Sequence, residues 1–588
     1  MNRRHRSWGA ALALVAGVTA WPNTSRAQTP PNVGPPPGGT IGEEEPKKQG
    51  VAEKAPQEAA RLPTLPPLPP YPGQEKKKFE LVTLDGYMRM RIDWLKQFHQ
   101  GFHDTTHGIP FPEPISCTEG TPETVDGDCG DSLGTTNMRV RLEPTIHLSE
   151  TVALHLQVDF LDNLVLGSNP RGYGADGIHS LASSQSSPDQ KDSPWDSIRV
   201  KQAWGDVHTP LGDLRFGRVP NQWGLGILNH AGGYDWIHGT TCTDCDYGDT
   251  ADRLIFGTTI PGTSIRAAVG LDWGSSSPTS GQVGAGYNRV DGQPFDLDDH
   301  DDVTQYVIMF THLDEPDVWN QTLKTGGFAA NYGLQFYYRV QDIEFNPAIG
   351  GTAPEATGLR RDLSVYIPDL WGRITTSKFV AEGELVGIFG SVDNLVDPMM
   401  EDMTIRQIGG VARLMVYFLG QDLELGLEGG FASGDEWEDP KYGTINIHQA
   451  NYLPRSPTDT TLSMFHFNPD YHVDLILFRE LFGAVINAGY VKPWIRYNIT
   501  DRFAFKAAVV TSFALVPVAT PGNSTFYGIE VDGDLGYSNE KEGFFAGLSY
   551  GVLFPFAALD HPIALFPEET SNGASTSQTL QGRLVLKF

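Results

Sequence analysis

The sequence lacks several features of helical membrane proteins and of nucleic-acid-binding proteins. No run of about 18 apolar residues follows the N-terminus, so a transmembrane helix is not expected. The net charge of −29 has the wrong sign for a nucleic-acid partner. Hydrophobic residues make up only 39% of the 588 residues. Such a chain can still cross a membrane if its apolar residues alternate, because only every second residue of a transmembrane strand faces lipid.

Cysteine is scarce, and none of it lies in a lipoprotein attachment motif. The four cysteines are Cys117, Cys129, Cys242 and Cys245. In an oxidising compartment the simple interpretation is two disulfides, Cys117–Cys129 and Cys242–Cys245. The CxxC spacing of the second pair leaves a zinc site open as the alternative.

The N-terminal part of the chain reads as a targeting segment followed by a linker. Residues 1–27 contain an early arginine cluster, an apolar core at 10–20 and a small-residue cleavage site, which predicts a signal peptide. Residues 28–78 form a Pro-rich linker that cannot bury a core and is expected to be disordered in the periplasm. Residues 79–588 are then expected to form one domain.

Hydrophobic periodicity in this domain is that of β-strands. Side chains on a strand point alternately to opposite faces, so a period of two gives one apolar and one polar face. The first such segment alternates apolar residues with charged ones: Met88, Met90, Ile92 and Trp94 with Arg89, Arg91 and Asp93.

The lengths of the connections separate a membrane barrel from a soluble sandwich. Short connections such as 149–150, 210–212 and 500–501 alternate with long polar ones such as 97–136 and 434–485. Tight periplasmic turns and long external loops are typical of outer-membrane barrels. We therefore predict an all-β, antiparallel transmembrane barrel of about eighteen strands (16–18). The connection at 314–326 is long for a turn.

The last strand carries a resemblance to a known signal. Leu580, Leu584 and Leu586 alternate with polar residues, and the chain ends in Phe588. This resembles the C-terminal assembly signal of outer-membrane barrels. The resemblance implies the outer membrane of a Gram-negative bacterium as location and the barrel-assembly machinery as a partner.

Two further resemblances concern the barrel as a whole. The segment FNPDY at 467–471, followed by LILFR at 475–479, resembles an uncharacterised outer-membrane protein family. The predicted architecture is also loosely similar to the alginate-export type of barrel, which implies passage of an anionic polysaccharide through a basic lumen. Acidic residues expected in the lumen depart from that pattern and put a polyanion in doubt.

Alternation also predicts which charges face the lumen. The expected basic wall consists of Arg89, Arg91, Arg139, Arg141, Arg199, Lys201, Arg215, Arg583 and Lys587. The expected acidic wall opposite consists of Glu382, Glu384, Glu424 and Glu428. Opposed charges of this kind would create a transverse field in a water-filled pore. The alternative is that they pair and close the lumen.

A segment before the fourteenth strand of this count is a candidate constriction, because an external loop has no evident reason to hold so many apolar residues. The alternatives are a segment that packs on the rim of the barrel and an extra strand. The candidate residues of the constriction are Phe467, Asn468, Pro469, Asp470, Tyr471 and Arg479. Asp470 is expected to cap a short helix that runs to about Phe482.

Motifs for metal binding and catalysis are weak. Histidines 99, 103 and 107 are spaced by four, but their loop disfavours a helix. A loose Ca²⁺ site is conceivable in an external acidic loop, at Asp296, Asp298, Asp299, Asp301 and Asp302. A G-x-S-x-G match around Ser549 lies in an alternating strand and lacks the strand–turn–helix context of a nucleophile elbow. No enzymatic activity and no obligatory cofactor are expected.

Together these features predict an outer-membrane channel. It would pass polar solutes passively, like a porin, or export a polysaccharide. The alternative is a structural or surface-interaction barrel whose acidic loops bind cations or partners. Outer-membrane lipid and lipopolysaccharide are expected to surround it in either case.

Overall fold

The computed structural model describes eleven stretches of the chain. These are residues 81–102, 132–165, 198–232, 248–274, 303–314, 316–345, 358–393, 402–419, 422–436, 460–562 and 573–588. The predicted signal peptide and linker lie outside the described residues. So do all four cysteines, His103, His107 and the acidic loop that holds the candidate Ca²⁺ ligands.

Nineteen β-strands within these stretches form a single sheet. In chain order they are β1 (Val82–Lys96), β2 (Ser132–His147), β3 (Val152–Val165), β4 (Ile198–Thr209), β5 (Gly212–Pro220), β6 (Thr250–Thr259), β7 (Ile265–Trp273), β8 (Thr304–His312), β9 (Ala329–Phe345), β10 (Gly358–Thr375), β11 (Phe379–Val392), β12 (Met403–Phe418), β13 (Leu423–Ala432), β14 (Thr461–Leu462), β15 (Ala488–Asn498), β16 (Phe503–Ala514), β17 (Phe526–Asn539), β18 (Phe544–Pro555) and β19 (Ser577–Lys587).

The sheet closes on itself into an antiparallel barrel. β1 pairs with β2 on one side and with β19 on the other, where Tyr87 lies opposite Lys587 and Lys96 opposite Gln578. β13 pairs directly with both β12 and β15, so the two-residue β14 is not part of the wall and pairs in parallel with the start of β12. Eighteen strands therefore form the barrel, which confirms the predicted fold class and strand number.

Alternation decides which face of each strand is apolar. On β12, Ile408 and Leu414 point outward and are exposed, whereas Val411 and Met415 point inward and are buried. The phase changes at a bulge in β4, where the register with β3 skips Lys201 between Val200 and Gln202. An apolar outer surface on a closed barrel is what a lipid environment requires.

The barrel has one end with short connections and one with long connections. The predicted irregular connection between β8 and β9 contains helix α1 (Pro316–Lys324), in which Trp319 and Leu323 pack against Ala329. The helix explains why this turn is longer than the others at the same end. Among the residues that the structure describes, no helix is long and apolar enough to span a membrane.

Candidate functional site in the barrel interior

Two connections from the long-loop end fold into the barrel. We call residues 221–232 the inner loop and residues 460–487 the inner segment. Leu225 and Ile227 of the inner loop belong to one buried apolar cluster with residues 465–485 of the inner segment. The wall supplies further members of this cluster, mainly from β8–β13 and β15–β18. Among the described residues, β3–β7 and β19 contribute none to it.

A wall glutamate anchors the inner loop. Glu384 on β11 is 3% exposed, and its Oε2 accepts hydrogen bonds from the backbone N–H groups of Leu225 and Gly226. Gly224 and Gly226 adopt positive φ angles of 51° and 90°, which turn successive N–H groups toward the carboxylate. Consecutive backbone N–H groups in such a turn form an anion-binding nest.

A second wall glutamate anchors the inner segment in the same way. Glu530 on β17 is 1% exposed. Its two carboxylate oxygens accept the N–H groups of Leu475, Ile476 and Leu477, at 2.9, 2.8 and 3.0 Å. Each inward connection is thus held to the barrel by one carboxylate that binds consecutive backbone groups.

The inner loop and inner segment are also bonded to each other and to the start of β6. The backbone N–H of Asn468 donates to Ile227 O at 2.7 Å, and its side-chain amide donates to Asp249 Oδ2 at 2.5 Å. Gly248 N donates to Asp470 Oδ2 at 2.6 Å. Burial, together with the nearby charge of Asp470, raises the pKa of Asp249. The two connections therefore form one interior body.

The helix predicted in the inner segment is shorter than expected, and its cap is a different residue. A single π-helical turn spans Leu477–Leu481. Asp474, not Asp470, receives its free N–H groups, since its Oδ1 accepts from Phe478 at 3.0 Å and from Arg479 at 3.1 Å. The prediction of Asp470 as the cap was wrong because Asp470 bonds to the chain before β6 instead. Burial raises the pKa of Asp474 to about 6.

The remaining predicted constriction residues also lie in this interior body. Phe467 is buried and makes edge-on ring contacts with Phe465 and Tyr471. Arg479 is partly buried beside Glu480, at 3.5 Å, and Pro469 is exposed. The apolar side chains of the segment therefore pack inside the barrel, and its role as a constriction stays a prediction.

The inner loop was not predicted from the sequence, because the alternation of short and long connections indicates an external loop at this position. The signal was present in Trp223, Leu225 and Ile227, which are three apolar residues alternating with glycines in the stretch WGLGI. Trp223 reaches the wall, because a Cβ on Gly333 of β9 would lie 2.7 Å from its ring.

The other three predicted acidic residues lie on the inner face and bind neighbouring side chains. Glu382 pairs with Arg413 at 3.0 Å and accepts Trp371 Nε1 at 2.9 Å. Glu424 accepts Trp494 Nε1 at 2.7 Å. Glu428 accepts the Tyr490 hydroxyl at 2.8 Å. These three glutamates bond to side chains of neighbouring wall strands, and Glu384 bonds to the interior body. Each of the four is therefore bonded within the barrel.

Part of the predicted basic wall gathers on the three adjacent strands β19, β1 and β2. Arg89 lies opposite Arg139 across the β1–β2 pair, and Arg91 lies opposite Arg583 across the β1–β19 pair. Arg89 and Arg139 are 0% and 1% exposed. Arg141 on the same face forms a bidentate pair with Asp159 at 2.6 and 2.7 Å.

The other predicted basic residues have different positions. Arg215 pairs with Asp206 at 2.7 Å, and its guanidinium lies over the ring of Trp204. Arg199 lies opposite Asp159 in the β3–β4 pair, whereas Lys201 falls in the bulge of β4. Lys587 is exposed at the short-connection end of β19. Arg199 therefore lies next to the cluster around Arg89, on the far side of Asp159 from Arg141, whereas Lys201, Arg215 and Lys587 do not join it.

A polar row on β6–β9 continues this inner surface and was not predicted. Arg253 forms a bidentate pair with Asp272 at 2.6 and 2.8 Å. Gln305 donates to Asp272 Oδ2 at 2.7 Å and accepts from Arg339 at 2.8 Å. Alternation could have indicated the row, since each member is a polar residue at an inward position of its strand.

Of the residues in the candidate metal and catalytic motifs, His99 and Ser549 lie within the described stretches. Within the described stretches, no group of three or more His, Cys, Asp or Glu side chains is arranged to hold a metal ion. His99 accepts the nearby Gly101 N–H at 3.0 Å in a local turn. Ser549 lies inside β18, with its hydroxyl 2.5 Å from Asp534 Oδ1 on β17.

Comparison with known proteins finds no matching family model and no matching curated protein. Solved structures do resemble the chain, at low similarity. OccK11 of Pseudomonas aeruginosa is 10% identical, with a TM-score of 0.42 over 86% of this chain and 96% of the other. A BenF-like porin from Pseudomonas fluorescens Pf-5 is 11% identical, with a TM-score of 0.38 over 86% and 99%. The outer-membrane channel DcaP of Acinetobacter baumannii is 10% identical, with a TM-score of 0.34 over 86% and 97%.

The closed barrel itself defines the class of the protein. An even number of antiparallel strands, short connections at one end, long ones at the other and an apolar outer face are the features of bacterial outer-membrane barrels. The protein is a Gram-negative outer-membrane β-barrel of eighteen strands. The end with short connections, where β1 begins and β19 ends, is the periplasmic end.

Proposed function

We propose that the protein is a passive, porin-like channel for polar solutes and that it prefers anions. The interior body packs mainly against β8–β13 and β15–β18, with Leu95 of β1 as a further member of the same apolar cluster. The other side, β19 and β1–β7, is the polar arc. Solutes would pass between the interior body and this polar arc.

The observation that carries the proposal is the arrangement of arginines on the polar arc. Arg89 and Arg139 are directly opposite on adjacent strands and share the inner face, and so do Arg91 and Arg583. Like charges directly opposite across a strand pair destabilise a sheet. Their placement on the inner surface favours a functional role, which is to attract anions to the passage.

The positions of the glutamates support the same preference. The sequence suggested an acidic wall that would oppose a basic one. Glu384 instead binds the N–H groups of the inner loop, and Glu382 binds Arg413. Their charges are compensated locally. The polar arc is compensated in part, since Arg91 pairs with Asp93 at 3.0 Å and Arg139 with Asp159 at 3.7 Å. We expect the remaining field in the passage to come mainly from this arc. The local contacts of Glu382 and Glu384 support the passage of anionic solutes, including an exported anionic polysaccharide.

No catalytic step is part of the proposal. The barrel would act by electrostatic guidance along the arginines and by a size limit that the interior body imposes. A barrel of eighteen strands is wide enough to hold an aqueous passage beside such a body.

The deep burial of Arg89 and Arg139 favours one alternative. Arginines that are almost inaccessible could serve to close the lumen rather than to guide solutes. In that case the protein would be a structural or surface-interaction barrel.

The experiment is single-channel recording of the refolded protein in a planar bilayer, with the reversal potential measured in a KCl gradient. Stepwise conductance with anion preference is expected. Arg139→Gln should shift the reversal potential toward cation preference, while Lys378→Gln, an exposed residue of the periplasmic turn before β11, should leave it unchanged. A folded but silent barrel would reject the channel in favour of the closed alternative.

A further inference from the structure

Charged residues are rare at outward positions of the described strands, and one of them stands alone. Arg406 on β12 is exposed on the outer face of the barrel. No hydrogen bond, ion pair or ring contact of its side chain occurs within the described part of the chain. An unpaired charge that faces hydrocarbon is costly. The position of Arg406 along the membrane normal therefore decides whether its guanidinium faces the hydrocarbon core or the lipid headgroups.

The outward residues of β12 locate Arg406 at the outer edge of the hydrocarbon layer. Between Ile408 and Phe418 every outward residue is apolar or glycine. This stretch has the length of about 9–11 residues that a tilted strand needs to cross the hydrocarbon core. Since β12 runs from the long-loop end to the periplasmic end, Arg406 is the first outward residue beyond the core on the extracellular side.

Two hydroxyl groups neighbour Arg406 on the outer face. Thr404 is the next outward residue of β12, and it lies opposite Ser391 of β11 in the strand pairing. Phe389 lies directly opposite Arg406 and, like Ile408 below it, is 40% exposed. The outer surface therefore changes from apolar side chains at Ile408 and Phe389 to guanidinium and hydroxyl groups at the next outward positions of β12 and β11.

A second outward arginine, Arg218, differs from Arg406 because it is paired with a carboxylate of the barrel. Arg218 on β5 forms a bidentate pair with Asp252 on β6 at 2.8 and 2.7 Å. Both side chains are exposed on the outer face. Their charges cancel, so this pair needs no external partner. Arg406 has no such carboxylate among the described residues.

We propose that Arg406, Thr404 and Ser391 bind a phosphate group of lipopolysaccharide in the outer leaflet. Guanidinium groups bind phosphate through paired N–H donors, and hydroxyl groups add single donors. The positive charge of Arg406 complements an anionic headgroup at the level where headgroups begin. Phe389 and Ile408 would contact the acyl chains below that phosphate.

The test uses the full-length protein, refolded in zwitterionic micelles and titrated with lipopolysaccharide. The readout is the temperature at which the compact band in a detergent gel converts to the heat-denatured band. Arg406→Gln should raise the lipopolysaccharide concentration for a half-maximal temperature shift by about fivefold. Arg406→Lys should raise it less, because it keeps the charge. Arg502→Gln, which removes an exposed arginine at the periplasmic end, should leave it unchanged.

Three results would overturn the proposal. One is a wild-type titration curve for Arg406→Gln in protein that shows the compact band. Another is an equal effect of Arg406→Gln when the lipopolysaccharide has been dephosphorylated. A third is that phosphatidylglycerol shifts the wild-type protein as strongly as lipopolysaccharide does, which would assign the surface to anionic lipid in general.

Discussion

Gly224 of the inner loop lies against Glu384 of the barrel wall so closely that a Cβ on residue 224 would come within 2.5 Å of Glu384 Oε2. The positive φ of Gly224, 51°, is the second reason for glycine here. The close approach lets a wall carboxylate bind the N–H groups that follow. The position of the inner loop, and with it the width of the passage, depends on this contact.

Gly224→Ala is therefore expected to displace the inner loop and to raise the single-channel conductance or make it fluctuate. Gly262→Ala is the matched control, because Gly262 also has a positive φ, 77°, but has open space around it in a periplasmic turn. Both variants carry the backbone strain, whereas only the first carries the clash. Identical conductance in the two variants would contradict the assignment of the inner loop as a constriction.

Glu530→Ala is expected to release the inner segment. The substitution removes the acceptor of the Leu475, Ile476 and Leu477 N–H groups, which are buried and would lose their partners. A buried unsatisfied donor costs about 1–3 kcal/mol, so a loss of about 3 kcal/mol or more in unfolding free energy is expected. Urea unfolding in micelles measures it. Glu530→Gln keeps one acceptor oxygen and should lose less; equal losses would argue against the anchor.

Asp474 is expected to make stability depend on pH in the acidic range. Burial raises its pKa from 3.8 to about 6, so between these values the folded protein binds more protons than the unfolded chain. Its contribution to stability is then full below pH 3.8 and decreases as the pH rises to about 6. Asp474→Asn should flatten this part of the profile of urea midpoint against pH. A slope that survives the substitution would assign it to other groups.

Asp369→Asn is expected to stabilise the barrel or to leave its stability unchanged. Asp369 on β10 is 0% exposed and lies beside Trp223 and Glu384, and no cation pairs with its carboxylate among the described residues. Neutralising a buried charge without a compensating cation avoids its desolvation cost, which is several kcal/mol. Thermal conversion of the compact gel band measures the change. A strong destabilisation would show that Asp369 has a partner that neutralises it.

Much of the fold could be predicted from the sequence because its causes are local. Alternation along each strand and the lengths of the connections predicted about eighteen strands (16–18), and eighteen form the barrel. The closure of β1 on β19 follows from an even strand number with both ends on one side. These patterns are repeated along the chain. An unexpected feature at one connection, such as the helix in the turn before β9, therefore does not change the predicted fold class or strand number.

The interior could be predicted only in part, because its partners are far apart in sequence. Alternation indicates that Glu384 and Glu530 point inward. It cannot indicate that each binds backbone groups of a distant connection, 158 and 53–55 residues away along the chain. The bulge that displaces Lys201 likewise depends on pairing with β3.

The sequence by itself determined the barrel and, away from the bulge in β4, which side chains lie inside or outside, because a strand has a period of two and lipid demands an apolar face. The tertiary structure alone decided which inward charges are compensated. A carboxylate such as Glu384 is neutralised by N–H groups that reach it only when the inner loop folds back into the lumen. The inward charges that are left without a partner after those contacts have formed are the ones that a passing solute would meet. This uncompensated charge therefore depends on the folded interior.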